Sequence, residues 1–541
     1  MVGQIELVTL SNSGELRPDW ALGPQRSASA TPQAVAAAIG ASEADAILCL
    51  DAALPIPSAD LLHKLLAGPS DVWHAGDLLG SGSHPALLDH VNPLWMQNAP
   101  VDPSIEATSW RLSLRAALMR REVVDQLGGP DPEMDTLTGA GLEFGFRLLR
   151  AGALVRHVPA LAPGLPAPDP ASTDADSVRL IARHDGRRWA GWALQRAATS
   201  REVALRDLAH VAKTLRRVTR DRTPTFVNPR PATGRTDRTV AVILPTIERY
   251  RYLEVVLRQL AGQTVHPTEV LIVDQTPAAD QRTDLHLLEP TLNVQVIVQD
   301  RPGQCTARNA AIRASTSEFL LFIDDDDEIE PDLIEQHLVR LGDGIDASCG
   351  GVDDATSGPP PAGFQHRRAS DVFPTNNTML RRSVLMRSGL FDPTYDRGPR
   401  ADHDLGMRLH QSGALLVYDP SVMVFHHHAP AGGLRVHGAR TITRASARRS
   451  LTTRHLPAPT ELYLGMRYFS PRQNREGRMV GLVSVVSGDG GGGRLALRAA
   501  TQVALLPSSV RELAANRRTA EQLLANRPPI PVLNSPKPGA G

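Results

Sequence analysis

Four consecutive carboxylates, at residues 324–327, directly follow the apolar run 319–323. Like charges on neighbouring residues repel each other by roughly 1 kcal/mol per close pair in water, and by more where the dielectric is lower. Such a cluster becomes favourable when a hard cation, Mg²⁺ or Mn²⁺, shares one or two of its carboxylates with the phosphate oxygens of a substrate. Taken alone, the cluster could equally be a solvated acidic turn.

The region from residue 239 onward alternates strand-like and helix-like patterns. Apolar runs that end at Pro245-Thr246, at Asp274 and at residues 324–327 predict buried strands. Strands that alternate with helices in this way predict an α/β fold with a mainly parallel sheet covered on both faces. Ligands bind such sheets at the carboxyl ends of the strands, so we expect these three ends to converge on one crevice. The first helix is predicted from one apolar face, formed by Leu253, Val256, Leu257 and Leu260.

The order of these motifs resembles that of the family-2 glycosyltransferases. The match continues through "ARNAAI", an Asp-x-Asp strand end, "TNNTMLRRSVLMRSGLFDPTY", "DHDLGMRLHQSG" and "VYDPSVMVFHHH", and covers residues 239–430. The resemblance implies a Rossmann-like nucleotide-diphospho-sugar transferase fold and a nucleotide-sugar donor. It also implies inverting transfer to a hydroxyl of a glycan, a lipid-linked glycan or a protein, with a role in cell-surface polysaccharide or glycoconjugate synthesis.

The resemblance also implies which residues hold the donor. Pro245, Thr246 and Glu248 would contact the nucleobase, and Asp274 the base or ribose. Arg308 would lie at the phosphates, where a planar guanidinium can donate hydrogen bonds in pairs. Two alternatives stay open: Asp274 could cap a turn, and Arg308 could form a surface ion pair. The family's second acidic residue after the strand is replaced here by glutamine, which leaves base recognition open.

Metal binding is implied for the acidic cluster. Asp324 would approach the ribose and the metal, Asp325 the nucleotide sugar, and Asp326 the metal that bridges the diphosphate. His426 matches a family histidine that reaches the metal, and imidazole is a suitable ligand for Mn²⁺. The expected cofactor is Mg²⁺ or Mn²⁺. The run of three histidines at 426–428 alternatively suggests zinc.

Inverting transfer needs a base that takes the proton of the acceptor hydroxyl. In the family this base opens an acidic segment at a helix start, which here reads "RADHDLGMRL" and implies Asp402. Ala401 stands where the family usually has glutamate, which puts part of acceptor binding in doubt. A helix cap is the alternative role for Asp402. Asp404 and Arg408 have the i,i+4 spacing of a helical ion pair.

An internal repeat relates the N-terminal region to this one. "LMRREVVDQLGGPDPEMDT" at 118–136 resembles "MLRRSVLMRSGLFDPTYDR" at 379–397, at a constant offset of 261 that continues to Gly152 and Gly413. In these registers Asp402 corresponds to Gly141, His426 to Leu165 and Asp326 to Ala53. We therefore interpret residues 1–165 as a degenerate copy without the base, the metal carboxylate or the histidine. The copy is also shorter, which predicts that the second strand and the helix after it are missing.

The remaining segments complete the predicted domain plan. Residues 166–238 read as a helical linker, 239–430 as the catalytic domain, and 431–541 as a basic helical extension with a disordered end. That extension has sixteen arginines and one lysine against five acidic residues, a net charge of +12. It could contact anionic lipid, or be an ordinary solvated appendage. The whole chain of 541 residues has no net charge, which argues against nucleic-acid binding.

The same sequence bears on the compartment and on two alternative functions. Three unpaired cysteines, no secretory signal and no long apolar run favour the cytoplasm, with contact to the inner membrane face through the basic extension. A sugar nucleotidyltransferase would need a glycine-rich phosphate loop after the first strand, whereas "PTIERYRY" contains no glycine. A non-catalytic nucleotide-sugar-binding scaffold is the other alternative.

Overall fold

The computed structural model describes residues 3–83, 86–164, 166–200, 208–218, 224–342, 344–354, 360–429, 432–434, 450–484 and 491–533. The chain divides into two compact units. The first comprises Met1–Pro231 with His366–Ala369, and the second Ala232–Gln365 with Ser370–Gly541. Most of the segment predicted as a linker thus belongs to the first unit, where its helix Asp174–His184 packs on the helix Leu137–Ala151. Much of the basic extension, including residues 435–449 and 534–541, lies outside the described residues.

The first unit is an α/β layer followed by helices. Its elements are β1 (Ile5–Leu10), β2 (Gln25–Ala28), α1 (Pro32–Gly40), β3 (Ala46–Asp51), α2 (Ala59–Ala67), β4 (Val72–His74), β5 (Ala107–Thr108), β6 (Ala116–Arg120), α3 (Arg121–Leu127), α4 (Leu137–Ala151), β7 (Val155–His157), α5 (Asp174–His184), α6 (Arg187–Thr199) and α7 (Leu208–Arg217).

The second unit has a longer version of the same kind of layer. Its elements are β8 (Val240–Thr246), α8 (Tyr250–Ala261), β9 (Glu269–Asp274), β10 (Val294–Val298), α9 (Gln304–Ala314), β11 (Phe319–Phe322), β12 (Asp327–Ile329), α10 (Leu333–Arg340), β13 (Ala347–Asp353), β15 (Thr378–Arg381), α11 (Leu385–Ser388), α12 (Ala401–Gln411), β16 (Leu416–His426), α13 (Pro459–Tyr468), α14 (Pro471–Ser484), α15 (Gly492–Ala504) and α16 (Leu506–Ala525). The short strand β14 (Arg368–Ala369) falls in the segment assigned to the first unit.

The mixed α/β architecture agrees with the predicted fold class, and the nucleotide-binding half of the second unit follows the sequence closely. Strands β9, β8 and β11 are adjacent and parallel, and β10 extends this parallel part beyond β9. The apolar face predicted for the first helix is fully buried in α8. The carboxyl ends of β8, β9 and β11 therefore lie side by side, at Thr246, Asp274 and just before Asp324.

The two sheets share their strand order. The first runs β2-β1-β3-β6-β4-β7-β5, and the second runs β9-β8-β11-β15-β13-β16-β12 after its extra edge strand β10. Each successive pair also has the same direction in both sheets: two parallel, two antiparallel, one parallel and one antiparallel. The outermost strands differ in origin, because β5 precedes β6 in the chain whereas β12 follows β11 directly.

One prediction for the first unit is wrong. A second strand is present, since β2 pairs in parallel with β1, and α1 precedes β3 as α9 precedes β11. The shorter chain instead lacks a counterpart of α8 between the first two strands, and a counterpart of β10. No helix within the described residues combines the length and apolarity needed to cross a bilayer.

Candidate functional site

A cavity of about 170 Å³ opens at the carboxyl ends of β8 and β11. Five of the residues predicted to bind the nucleotide sugar line it: Pro245, Thr246, Arg308, Asp324 and Asp325. The structure therefore brings the first strand end, the "ARN" helix and the start of the acidic cluster together at one place. The other lining residues are Ile247, Arg249, Gln275, Gln304, Gly433 and Leu434.

The first two carboxylates of the cluster face arginines. Arg308 donates a hydrogen bond of 2.9 Å to Asp324, which keeps about a third of its side chain exposed. Asp325 is buried and accepts hydrogen bonds from the Thr246 hydroxyl at 2.7 Å and from Arg249 at 3.1 Å. The charge repulsion within the cluster is thus partly offset by protein cations.

The other two carboxylates are not among the residues that line the cavity. Asp326 Oδ2 accepts the backbone N–H of Ala429 at 2.7 Å, and its Oδ1 lies 3.2 Å from Arg249. That buried Oδ1 has no hydrogen-bond partner of acceptable geometry. Asp327 lies 2.8 Å from His426 Nδ1 and accepts the Asp324 backbone N–H at 2.7 Å, so it closes the turn between β11 and β12.

These contacts shift the protonation of the cluster. Burial raises the pKa of Asp325 and of Asp327 above the usual carboxyl range, against the opposing effects of Arg249 and His426. For His426, burial disfavours the charged ring, but the hydrogen bond to Asp327 and the neighbouring carboxylates raise its pKa to about 9. His426 is therefore held as a cation beside Asp327.

Glu248 and Asp274, both predicted to contact the nucleoside, do not line the cavity. Asp274 is buried and accepts hydrogen bonds from the Tyr250 hydroxyl at 2.7 Å and from the Thr276 backbone at 3.0 Å. Glu248 has a positive φ of 56°, and its backbone N–H donates to the Thr276 hydroxyl. In this structure both residues shape the loop between β8 and α8.

Gln275 stands where the family has an acidic residue, and it shapes the start of α9. Its side-chain oxygen accepts the Gly303 N–H at 2.7 Å. Gln304, which follows Gly303 and begins α9, donates to the carbonyls of Tyr395 and Gly398, both at 2.7 Å. The helix that carries Arg308 is thereby attached to the segment that precedes α12, the helix that carries Asp402.

Asp402 lies in the first turn of α12 and is about one-third exposed. It is not the helix cap, since that position belongs to Arg400 in a left-handed conformation. His403 Nδ1 lies 3.0 Å from Asp402 Oδ1, and Arg400 contacts His403 Nε2 at 2.8 Å. Because a guanidinium can only donate, Nε2 accepts, and the proton of a neutral His403 then lies on Nδ1, which is close to Asp402 but not aligned for a hydrogen bond.

These neighbours determine the charge of Asp402. Burial alone would raise the pKa of its carboxyl, but the interaction with His403 and the charge of Arg400 hold that pKa well below its usual range. Arg400 is itself held by Glu461 of α13 at 3.1 Å. Asp402 is therefore an ionised carboxylate at neutral pH, as a general base must be.

The C-terminal helix α13 also fixes the body of α12. Asp404, fully buried, pairs with Arg408 at 2.9 Å, which confirms the predicted i,i+4 pair. Asp404 also accepts hydrogen bonds from the Tyr468 hydroxyl at 2.7 Å and from Arg467 at 3.1 Å. Arg467 reaches the buried carboxylate of Asp392 as well, at 2.7 Å. Helix α13 is thus an integral part of the second unit.

Several residues of the site were missed by sequence reasoning. Arg249 follows the first strand end by only three residues, and a lone arginine there was the available signal. Gly432 and Gly433 have positive φ angles of 74° and 73° and lie against residues 247–249. A Cβ on Gly433 would lie 2.8 Å from the Arg249 guanidinium, so glycine is needed for this close approach.

Similarity to known proteins centres on the same region. Residues 241–395 match the model of the glycosyl transferase family 2. The pre-mycofactocin glycosyltransferase of Mycobacterium tuberculosis is 27% identical over 228 residues, 38% of this chain and 46% of that protein. EpsH of Bacillus subtilis, provisionally assigned as a glycosyltransferase, is 34% identical over 109 residues, 20% of this chain and 31% of that protein. The chain thus spans less than half the length of these curated relatives.

Solved structures show weaker likeness. The mannosyltransferase PcManGT of Pyrobaculum calidifontis, in complex with GDP-mannose and Mn²⁺, has a TM-score of 0.35 and 16% identity, covering 55% of this chain and 91% of that one. Residues 1–349 of S. aureus TarS with UDP-GlcNAc give a TM-score of 0.31 and 16% identity, over 53% and 91%. The family match is limited to residues 241–395 and rests on the sequence.

Proposed function

We propose that the protein is a metal-dependent, inverting glycosyltransferase that moves a sugar from a nucleotide-sugar donor to a hydroxyl acceptor. The observation that carries the proposal is the cavity itself: within a family-2 domain it is lined by Arg308, Arg249, Asp324 and Asp325 at adjoining strand ends. The crevice of such a sheet is where nucleotides bind. A role in cell-surface polysaccharide or glycoconjugate synthesis is part of the proposal.

In the proposed complex, the diphosphate lies against the two arginines. Arg308 is suited to this because its guanidinium can donate two parallel hydrogen bonds to phosphate oxygens. Pro245 and Thr246 would contact the nucleoside, together with Glu248 and Asp274 after a movement of the loop between β8 and α8. The side chain of Gln275 lines the cavity and can offer an amide to the base, in place of the family's carboxylate.

The acidic cluster is suited to a hard cation but is not a complete cage. Within the described residues, no three His, Cys, Asp or Glu side chains converge on one metal position. The buried Asp326 Oδ1, which has no hydrogen-bond partner, and the one-third-exposed Asp324 suit an ion that takes one or two carboxylates and completes its shell with phosphate oxygens. Asp324 and Asp326 are the proposed ligands of Mg²⁺ or Mn²⁺, and His426 would join them only after it loses its proton and the cluster rearranges. When bound, the ion would neutralise charge on the leaving nucleoside diphosphate.

Asp402 is the proposed base. Its carboxylate is ionised and reachable by solvent, so it can take the proton of an acceptor hydroxyl. The hydroxyl oxygen would attack the anomeric carbon from the side opposite the diphosphate, and the diphosphate would leave toward Arg308. Attack from the opposite side inverts the configuration of the anomeric carbon. His403 and Arg400 would keep the Asp402 carboxylate oriented through this step.

Replacing the base is the direct test of catalysis. Asp402→Asn is expected to abolish transfer while nucleotide-sugar binding, measured by calorimetry, stays within a factor of two. The matched control is Asp60→Asn, which changes an exposed carboxylate in the first turn of α2. Full transfer by the Asp402→Asn variant would show that another group is the base. Donor binding without transfer by the unaltered protein, over a broad acceptor panel, would favour the scaffold alternative.

The donor can be found by thermal shift with UDP-, GDP- and dTDP-sugars, with and without Mn²⁺. A ligand at 100 times its dissociation constant stabilises the folded state by about 2.7 kcal/mol, which is readily measured. We expect one of these nucleotide sugars to raise the melting temperature of the second unit, and to raise it further when the metal is present. An equal shift without metal would contradict metal dependence. A shift with a nucleoside triphosphate and sugar phosphate only would favour the nucleotidyltransferase alternative.

The first unit is proposed to be a degenerate copy of the second. The shared strand order and directions support this, and Gly141 occupies the position of Asp402 in a place where no side chain fits. A Cβ on Gly141 would lie 2.6 Å from the Leu112 carbonyl oxygen. Calorimetric titration is expected to give one nucleotide-sugar site per chain. Two equivalent sites would contradict the proposal.

Contact with the inner membrane face is also proposed, through α15. Two polar side chains of this helix turn inward: Arg498 and Gln502 are 3% and 1% exposed and donate to the carbonyls of Ser450 and Leu451. Its apolar Leu497 and Val503 are 56% and 62% exposed. An exposed apolar face on a basic segment is typical of helices that lie in an anionic lipid interface.

Vesicle sedimentation tests this contact. Binding to phosphatidylglycerol vesicles, but not to phosphatidylcholine vesicles, is expected, with loss of binding in the double variant Leu497→Glu, Val503→Glu. Leu16→Glu, at a residue 54% exposed in the first unit, is the control. Unchanged binding in the double variant, or a dimer that this variant dissociates in light scattering, would show that the face meets something other than lipid.

A further inference from the structure

A second crevice lies wholly within the first unit, at the same end of the sheet as the donor cavity of the second unit. It has a volume of about 410 Å³ and opens at the carboxyl ends of β1 and β3, next to the start of α4. This volume is within the usual range of about 300–1,000 Å³ for small-molecule sites. The lining residues are Leu10, Ala30, Asp51, Ser113, Leu114, Arg115, Thr136, Leu137, Thr138, Pro168, Asp169 and Pro170.

The charged side chains in this crevice form ion pairs with each other. Arg115 donates to Asp51 at 2.7 Å and to Asp169 at 3.1 Å, and a third hydrogen bond of 2.8 Å goes to the Ala167 carbonyl. Asp169 is buried and also accepts from the hydroxyls of Ser81 and Ser113. One guanidinium therefore faces two carboxylates, which leaves a net charge of −1. A diphosphate would meet repulsion here, with no arginine available to receive it.

The polar groups that remain are suited to hydroxyl donors. Asp51 is one-quarter exposed, and its Oδ1 accepts only the backbone N–H of Ala53, at 2.9 Å, among the contacts seen. An ionised carboxylate has about four acceptor positions, so Asp51 can accept further hydrogen bonds from a ligand. At the start of α4, the Thr136 hydroxyl is already used, since it donates to Asp176 at 2.7 Å and accepts the Gly139 N–H at 2.9 Å. The Thr138 hydroxyl also lines the crevice and is the second polar group considered for a ligand.

The rest of the lining is apolar but not aromatic. Leu10, Leu114 and Leu137 line the crevice, and Pro168 and Pro170 form an exposed part of its rim. Such side chains pack against aliphatic C–H groups, whereas the carboxylate and the Thr138 hydroxyl would bond a ring of alcohol groups. A carbohydrate carries both kinds of surface and no charge.

We propose that this crevice binds an uncharged carbohydrate of one or two sugar units. The crevice of the first unit would then recognise a sugar that carries no nucleotide. The sugar could be free or the end of a longer glycan, since both present the same hydroxyl and C–H surfaces. The proposal stands on the first unit alone and does not depend on transfer activity in the second.

Ligand-observed saturation-transfer NMR on the full chain tests it. The probes are methyl glycosides of glucose, galactose, mannose and N-acetylglucosamine, the corresponding disaccharides and tetrasaccharides, and glucose 1-phosphate as a charged analogue. Ala30→Trp fills the crevice from an exposed position, and Leu137→Trp does so from a half-buried one. Ala37→Trp, at an exposed site on α1 outside the crevice, is the matched control.

At least one neutral glycoside is expected to bind the unaltered protein and the control, and to lose at least tenfold in affinity in either filled variant that retains its fold. Stronger binding of a tetrasaccharide than of its monosaccharide would identify a glycan end as the ligand, and equal binding a free sugar. The proposal is overturned if no neutral glycoside binds at millimolar concentration, or if binding survives both filled variants. It is also overturned if glucose 1-phosphate competes at the same crevice with equal affinity.

Discussion

Helices α4 and α12 occupy corresponding places in the two units and are held in corresponding ways. In α4, Glu143 pairs with Arg147 at 2.9 Å, and in α12, Asp404 pairs with Arg408 at 2.9 Å. Each buried acid is also contacted by a later helix: His184 of α5 lies 3.1 Å from Glu143, and Tyr468 of α13 lies 2.7 Å from Asp404. The repeat therefore includes the helix that follows each sheet.

The neighbouring positions extend the parallel. Arg183 of α5 pairs with Asp131, and Arg467 of α13 pairs with Asp392, the residue 261 positions after Asp131. At the positions that the offset of 261 pairs, the two units differ, because Asp402 lies in the first turn of α12 whereas Gly141 lies further into α4, packed against a backbone carbonyl. Both units therefore have these ion pairs, here called the clamps (Arg183 with Asp131, and Arg467 with Asp392 and Asp404), whereas the proposed base lies in the second unit. We expect the clamps to serve the fold rather than the reaction.

The clamp of the second unit should produce the largest effect. Arg467→Ala leaves Asp392 and Asp404 buried without their shared cation, and breaking a buried pair in this way costs about 3–5 kcal/mol of unfolding free energy. Arg183→Ala should cost less, because its other partner, Glu133, is 72% exposed. All six tryptophans lie in the first unit and all six tyrosines in the second, so tryptophan fluorescence and tyrosine ellipticity report the two unfolding transitions separately. If Arg467→Ala lowered only the stability reported by tryptophan fluorescence, Arg467 would be stabilising the first unit and not the second, which contradicts the comparison.

The arginines of the two crevices should differ in what they support. Arg308→Ala is expected to weaken nucleotide-sugar binding about 10- to 100-fold, the value of one or two charge-assisted hydrogen bonds of about 1.5–3 kcal/mol. Arg115→Ala should leave that binding unchanged but lower the stability of the first unit, because buried Asp169 loses its cation. Calorimetry and tryptophan-detected unfolding measure the two outcomes. A loss of nucleotide binding in Arg115→Ala would mean that both crevices take nucleotides.

Adding one methyl group at Gly141 tests whether this position in α4 has room for a side chain. Gly141→Ala should destabilise the first unit by about 1–3 kcal/mol, because its Cβ would lie 2.6 Å from the Leu112 carbonyl oxygen in a packed interior. Gly191→Ala in α6 is the control, since a Cβ there meets nothing within 4 Å, and alanine should be neutral or stabilising by up to about 1 kcal/mol. Equal stability of both variants in tryptophan-detected urea unfolding would show that Gly141 is not sterically required.

The smallest effect concerns pH. Asp402 has a depressed pKa, so activity should persist to low pH and fall only as the carboxylate is protonated. In His403→Leu the supporting contact is lost, and the acid limb of kcat/KM should move up toward the ordinary aspartate value of about 3.9. His403→Asn retains a hydrogen-bond donor near the position of Nδ1, so this variant should move the acid limb of kcat/KM less. An unchanged acid limb in His403→Leu would exclude this residue from positioning the base.

Sequence predicted the parts of the molecule that are governed by local patterns. The strands β8, β9 and β11 are long apolar runs, and the buried face of α8 has a clear helical period, so both were found. Strand β2 was not, because "QRSA" is a short, half-buried edge strand without alternation. Of the predicted residues that line the cavity, Thr246 ends the first of these strands and Arg308 lies within the short helix that precedes β11.

Long-range contacts explain what sequence did not predict. The placement of Asp326 and Asp327 outside the cavity lining depends on Ala429 and His426, about a hundred residues later in the chain. The binding of Arg467 to Asp392 and Asp404 is equally remote, and nothing in the C-terminal sequence marks it. The acidic cluster was expected to need an external cation, whereas Arg249, Arg308 and His426 already face it.

The ion pair between Arg308 and Asp324 has a consequence for turnover. If a diphosphate binds as proposed, it would compete with Asp324 for the Arg308 guanidinium, so the free-energy gain of binding would be the difference between two pairings. The same carboxylate could pair with Arg308 again after transfer. We therefore expect Asp324 to limit how tightly the nucleotide product is held and to favour its release.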